Sequence, residues 1–191
     1  DDATTPDLNA EMHAALDTIQ NSAGEACLVV TGDGKAFSTG FDLEYFSTAT
    51  GDERTLLMEK SVALLDRLLD FPLPTVAAIN GHAFGMGALV ALACDYRYMR
   101  ADRGYLCLPE IDLKVIIPSG MMSLLKRKLA PLALRDLLLS GRRIGGEEAV
   151  RLGVVDESCV EEEVLQKAVS RASALAAKDR VTYGAMKRSL V

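Results

Sequence analysis

The chain has 191 residues, 49% of them hydrophobic, and a formal net charge of −6. That length and apolar content fit one globular domain able to bury a core without metal or disulfide support. The acidic balance disfavours broad nucleic-acid or anionic-membrane binding, although it leaves room for a small basic patch toward a phosphorylated cofactor.

Four cysteines, Cys27, Cys94, Cys107 and Cys159, are widely spaced and form no CxxC pair. This spacing reads as reduced thiols in a reducing compartment, not as a disulfide framework or a metal site. No apolar run reaches membrane-spanning length and no signal-peptide pattern opens the sequence, so a soluble protein is expected.

In chain order, Thr5-Pro6 supplies an N-cap and a first-turn proline for a helix over DLNAEMHAALDTIQ, with Leu8, Met12, Ala15, Leu16 and Ile19 on one face. His13 on that helix reads as a surface or half-buried side chain. ACLVVTG is a strand ended by Gly32-Asp33-Gly34, a pair of glycines without the third of a dinucleotide fingerprint, and the Walker A spacing is also absent. The segment Lys35 to Leu43 changes from strand to small-residue loop to helix. It is either a tight connection or a loop that points an N–H, that of Phe41, into a pocket.

DERTLLMEKSVALLDRLLD has helical periodicity that offers Leu56, Leu57, Leu64, Leu65, Leu68 and Leu69 to a core, with Arg54 and Lys60 available to solvent or ligand. Phe71-Pro72-Leu73-Pro74 stops it. TVAAIN is a buried strand, Gly81 to Gly87 is a turn with His82 satisfied locally, and ALVALACD is a helix. YRYMRAD and GYLCLPE are short strands that lead to Glu110. MMSLLKRKLA is a helix whose Met121 and Met122 suit either core packing or an acyl pocket, and Lys126, Arg127 and Lys128 read as a solvated face. PLALRDLLLSG, GRRIGGEEAVRLG and EEEVLQKAVSRASALAAK are further helices, with VVDES an edge strand before the last.

Four blocks then fall in one order: KAFSTGFDL, PTVAAINGHAFGMGALVALACDYRYM, LPEIDL and LLSGRRIGGEEAVRLGVVDE. Together they resemble the crotonase superfamily, the enoyl-CoA hydratase and isomerase group. The resemblance implies an α/β fold with a crotonase-like ββα spiral core and surrounding helices. It also implies a single domain over 1–191 that lacks the family's first strands and part of its C-terminal helical region. A fatty enoyl-CoA thioester is the implied substrate, with CoA as part of that substrate, no separate cofactor and no metal. A homotrimer or dimer of trimers is the implied assembly, in the peroxisomal matrix or cytoplasm, although SLV is not the usual peroxisomal ending.

Carried over by position, the family's oxyanion hole falls on the backbone N–H groups of Phe41 and Met86. The resemblance places Ala36, Ser38, Gly40, Asp42, Leu43, Gly85, Gly87, Leu89, Pro109 and Ile111 around the substrate. Proton removal beside a thioester puts charge on the carbonyl oxygen, which two fixed donors stabilise more than the ground state. Hydratases of the family hold a water between two glutamates, one at the position of Glu110 and one where this chain has Leu89. The dienoyl-CoA isomerase variant expects an acid where this chain has Pro118.

One carboxylate, Glu110, suffices to move a proton from C2 to C4. The resemblance is therefore closest to the monofunctional Δ3,Δ2-enoyl-CoA isomerases of plant and related eukaryotic type. An apolar pocket walled by Leu89, Ile111 and Ile116 is expected to raise the pKa of Glu110. Asp112 and Asp95 read as structural. Hydration, thioester hydrolysis, decarboxylation or acyl-CoA binding without turnover are the alternatives that the same loops allow.

Overall fold

Residues 3–190 are described, in a computed structural model. The strands are β1 (Ala3–Thr4), β2 (Leu28–Thr31), β3 (Ala36–Ser38), β4 (Gly40–Phe41), β5 (Thr75–Ile79), β6 (His82–Phe84), β7 (Tyr96–Arg100), β8 (Leu106–Cys107) and β9 (Glu157–Cys159). The helices are α1 (Pro6–Gln20), α2 (Leu43–Thr48), α3 (Gly51–Asp70), α4 (Met86–Ala93), α5 (Ser119–Lys128), α6 (Pro131–Ser140), α7 (Gly146–Arg151), α8 (Glu161–Ala176) and α9 (Arg180–Ser189). A 3-10 turn, Pro109–Ile111, follows β8.

Every pairing between these strands is parallel. One sheet has the order β2-β5-β7-β9 and a second the order β3-β6-β8, while β1 pairs with β4. Consecutive strands thus feed alternate sheets: β2 then β3, β5 then β6, β7 then β8. This is the ββα spiral expected from the sequence. β5 lies between two strands and is buried at every position, which explains the apolar run from Val76 to Ile79. β6 occupies part of what reads as a plain glycine turn in the sequence. Its register, Ala36 opposite His82 and Ala83 opposite Leu106, makes that turn the middle strand of the second sheet.

Local chemistry sets the helix ends. Thr5 Oγ1 accepts from Leu8 N–H at 3.2 Å, with Pro6 in the first turn, as the sequence indicates. Thr50 and Glu53 form a reciprocal capping box at the start of α3. The buried stripe of α3 is Leu57, Ser61, Leu64, Leu65, Leu68 and Leu69, whereas Leu56 is 51% exposed. Leu56 falls one residue off the i, i+4, i+7 row, about 100° around the helix from Leu57.

On α1 the buried residues are Leu16 and Asn9, and Ala15 faces solvent. Asn9 is buried because its Nδ2 donates to the buried Ser61 Oγ at 3.1 Å, a polar rivet between α1 and α3. Three of the four free cysteines are buried and Cys27 is half-buried. No helix among the described residues is long and apolar enough to cross a membrane.

Candidate active site

Two backbone turns and one carboxyl group converge at the start of α4. Gly40 holds φ +88°, a left-handed conformation that lets β3 turn into β4, and a Cβ there would come 2.8 Å from Phe84 O and 3.6 Å from Met86 N. The loop after β3 and the turn before α4 are therefore in contact. Asp42 N–H donates to Thr4 O at 3.2 Å, on the β1 side of the strand. Backbone alternation then leaves the N–H of Phe41 on the opposite side. Met86 is the first residue of α4, so its N–H has no intrahelical acceptor, and none is formed elsewhere among the described residues.

Glu110 reaches this point through β8. Gly85 N–H donates to Cys107 O at 3.0 Å, which fixes the turn to the end of that strand. Gly85 has φ +50°, and a Cβ on it would lie 3.5 Å from Glu110 Oε1. A side chain at 85 would thus occupy the space that the carboxyl group faces. Glu110 is half-buried and its Oε2 is buried with no hydrogen-bond donor among the described residues. Burial raises its pKa from the ordinary 4.5, opposed only by a hydrogen bond from its own backbone. The backbone around it is held firmly: Leu113 N–H donates to Pro109 O and Val115 N–H to Glu110 O, at 3.1 and 2.9 Å.

Leu89 is 1% exposed, one turn into α4, and packs in the main core with Met86. Ile111 is 50% and Ile116 is 92% exposed, so within this chain they do not wall the carboxyl group as the sequence suggests. Gly87 packs face to face with Ser38, whose Cβ would be 2.6 Å from a Cβ on the glycine. Ala36 is buried in β3, and Pro109 opens the 3-10 turn that carries Glu110. Asp42 is the N-cap of α2, its Oδ1 accepting from Glu44 and Tyr45 N–H, and Leu43 is 68% exposed on that helix. Asp112 Oδ2 lies against Gly141 at the end of α6, away from the glycine turn.

His82 has no hydrogen-bond partner at its buried Nδ1, contrary to the local bond expected from the sequence. Its ring packs between Phe84 and Tyr105, with centroids at 5.1 and 5.6 Å. Sequence reading missed Phe46. Its ring lies 5.1 Å from Phe41, and it borders a cavity of about 680 Å³ between α2, α3 and the start of α5. Met58, Val62 and Ala63 line that cavity, with Arg54 and Glu59 among its polar members. The missed signal is the Tyr45-Phe46 pair in a short helix directly after the loop that carries Phe41. Met121 is a core residue and Met122 is half-buried; neither borders this cavity.

The arrangement offers two backbone donors, one poorly solvated carboxyl group and no second acid on α4. Such a site can stabilise an oxyanion and move a proton. Comparison with known proteins points the same way. The family model described as enoyl-CoA hydratase/isomerase matches residues 2–191. The chain is 39% identical to the peroxisomal enoyl-CoA delta isomerase 2 of Arabidopsis thaliana over 97% of its length, covering 82% of that protein. It is 34% identical to a probable enoyl-CoA hydratase of Bacillus subtilis, over 92% of this chain and 69% of that one. Among solved structures, the probable enoyl-CoA hydratase EchA3 of Mycobacterium tuberculosis H37Rv superposes with a TM-score of 0.91 at 27% identity, covering 98% of this chain and 79% of the other.

Proposed function

The chain belongs to the enoyl-CoA hydratase/isomerase family, and from that premise we propose that it is a Δ3,Δ2-enoyl-CoA isomerase working with a single carboxylate. Glu110 removes a proton from C2 of a 3-enoyl-CoA. The N–H groups of Phe41 and Met86 hold the dienolate oxygen, and Glu110 returns the proton at C4. The observation that carries this reading is the pairing of a buried, unpartnered Glu110 oxygen beside Gly85 with a buried Leu89 on α4. A leucine can neither orient nor ionise a water molecule, so the two-acid hydration route lacks half its machinery.

Burial fits Glu110 to the task. A carboxyl group whose pKa is raised toward neutrality is a stronger base when ionised and a ready acid when protonated, and the shuttle needs both. Each oxyanion donor of this kind contributes about 10²–10³ in rate. The acyl chain runs past Phe41 and Phe46 into the cavity lined by Met58, Val62 and Ala63. Val62→Trp should therefore raise KM for 3-dodecenoyl-CoA and spare 3-hexenoyl-CoA; equal effects on both would place the chain elsewhere.

CoA enters only as part of the substrate. Trimeric assembly is part of the same reading, supported by the exposed apolar run Leu113, Val115 and Ile116 beside Glu110; light scattering that gives a monomer at micromolar concentration would remove it. Reduced cysteines and a peroxisomal relative support a reducing peroxisomal or cytoplasmic setting, which fractionation checks.

Hydratase-named relatives supply the competing activity. Product analysis after incubation with trans-3-enoyl-CoA and, separately, trans-2-enoyl-CoA decides between them. Isomerisation predicts 2-enoyl product from the first and negligible 3-hydroxyacyl product from the second. Efficient hydration of the second substrate would overturn the proposal.

A further inference from the structure

At the far end of α4 lies a polar cluster that the isomerase chemistry does not use. Asp95, just past that helix, accepts from Thr75 N–H at 3.0 Å, from Tyr183 OH at 2.9 Å and from Lys187 Nζ at 2.8 Å. Lys187 spends a second donor on Thr75 Oγ1 at 3.3 Å. Three donors thus converge on the Asp95 carboxylate, and the neighbouring Lys128 forms no salt bridge among the described residues. Among the described residues its side chain makes one hydrogen bond, Nζ to Cys94 O at 3.1 Å. Lys128 borders a cleft of about 510 Å³ that is also lined by Leu69 and Met186 and by the charged Arg127, Asp95 and Lys187. Arg127 and Met186 are exposed, so the cleft is open to solvent.

We propose that Lys128 is a site of covalent acylation by acyl-CoA thioesters. The neutral Nζ attacks the thioester carbonyl carbon, the N–C bond forms as the C–S bond breaks, and the thiolate leaves with the proton released by the amine. The products are an amide on Lys128 and free CoA, with no oxidant or reductant involved. Cys94 O accepts one N–H of the amine. Arg127, exposed and in no salt bridge among the described residues, attracts the anionic donor, and Leu69 and Met186 receive the acyl group. The choice of donor rests on acyl-CoA being the substrate class of the proposed isomerase; the nucleophile does not.

The charges around Lys128 favour its free amine. Burial is the largest influence, followed by the like charge of Arg97, with Lys187 acting in the same sense and Asp95 and Cys94 opposing; together they bring its pKa down to about 8. A lysine of ordinary pKa, about 10.4, is almost wholly protonated at that pH.

The test uses the full chain with acetyl-CoA, which has no double bond to isomerise, followed by mass-spectrometric site occupancy. At pH 8 Lys128 should acetylate at least about tenfold faster than the exposed Lys126, a margin set by its larger neutral fraction. Its rate should level off above about pH 9. In urea the two rates should become equal. Labelling no faster than at Lys126, or an advantage that survives denaturation, would overturn the proposal. Labelling of a chain that fails to isomerise 3-enoyl-CoA would leave it standing and remove the isomerase reading alone.

Discussion

The two ends of α4 are built on opposite principles. At its start Met86 N–H lacks an acceptor and Glu110 Oε2 lacks a donor. At its end the carbonyls of Leu92 and Cys94 receive Arg97, Cys94 O also receives Lys128, and Asp95 takes three donors. One helix thus has an end with open hydrogen-bonding capacity and an end where it is consumed. Cations at the second end also oppose the partial negative charge of a helix C-terminus. Apart from Lys128, which borders the cleft, the second end consists of groups that hold the fold, whereas the first presents groups ready for a substrate.

The contrast can be broken most strongly at the open end. Glu110→Gln should lower kcat/KM for 3-enoyl-CoA by about 10²–10⁴, the usual contribution of a general acid–base, with KM changed far less. Stability should move the other way. A raised carboxyl pKa means that the folded state binds this proton more tightly than the unfolded chain does. That contribution is fully present below pH 4.5 and is lost as pH rises toward the folded pKa. At neutral pH the Gln protein should therefore melt at or above wild type, with the difference vanishing near pH 4. Wild-type kcat/KM should fall on the acid side with an apparent pKa above 4.5. Wild-type turnover by the Gln variant would remove the shuttle outright.

At the closed end Lys187→Met should behave in reverse. It leaves Asp95, whose side chain is 11% exposed, without its cation, and breaking such a buried pair costs about 3–5 kcal/mol. Urea denaturation should show that loss, while kcat of the remaining folded protein stays near wild type. A variant with normal stability and impaired kcat would mean that the two ends are not separable. A smaller loss of stability than for Lys187→Met is expected for Gly40→Ala, about 1–3 kcal/mol for the strained φ. Its Cβ would press on Phe84 O, so it should also depress kcat by displacing the turn before Met86.

Much of the open end is legible in the sequence because its parts are local. Glycines at 40 and 85 announce tight turns, Gly87 a close helix contact, and Pro109-Glu110 follows a recognisable strand. Even so, β6 within GHAFG is hidden, since three residues between glycines carry too little periodicity to declare a strand. The closed end is hardly legible at all. Lys128 sits in a KRK run that reads as solvated, yet Cys94 and the cluster on α9 enclose it from distant parts of the chain. Asn9 is equally concealed, because its burial depends on Ser61 of another helix. Exposure of a polar side chain is a property of its neighbours, and a linear reading cannot see them.

The alternating feed of strands into two parallel sheets has a kinetic consequence. β5 and β7 are separated only by β6 and α4, whereas β2 waits for β5 across α2 and α3, and β9 joins β7 only after α5, α6 and α7. Loop closure favours the shorter span. We therefore expect the β5–β7 ladder to gain amide protection first during pulse-labelled refolding, with β2 and β9 following; simultaneous protection of all four strands would refute this order. The glycine turn and the helix it launches would then be enclosed in the earliest ladder of the spiral, before either edge strand has docked.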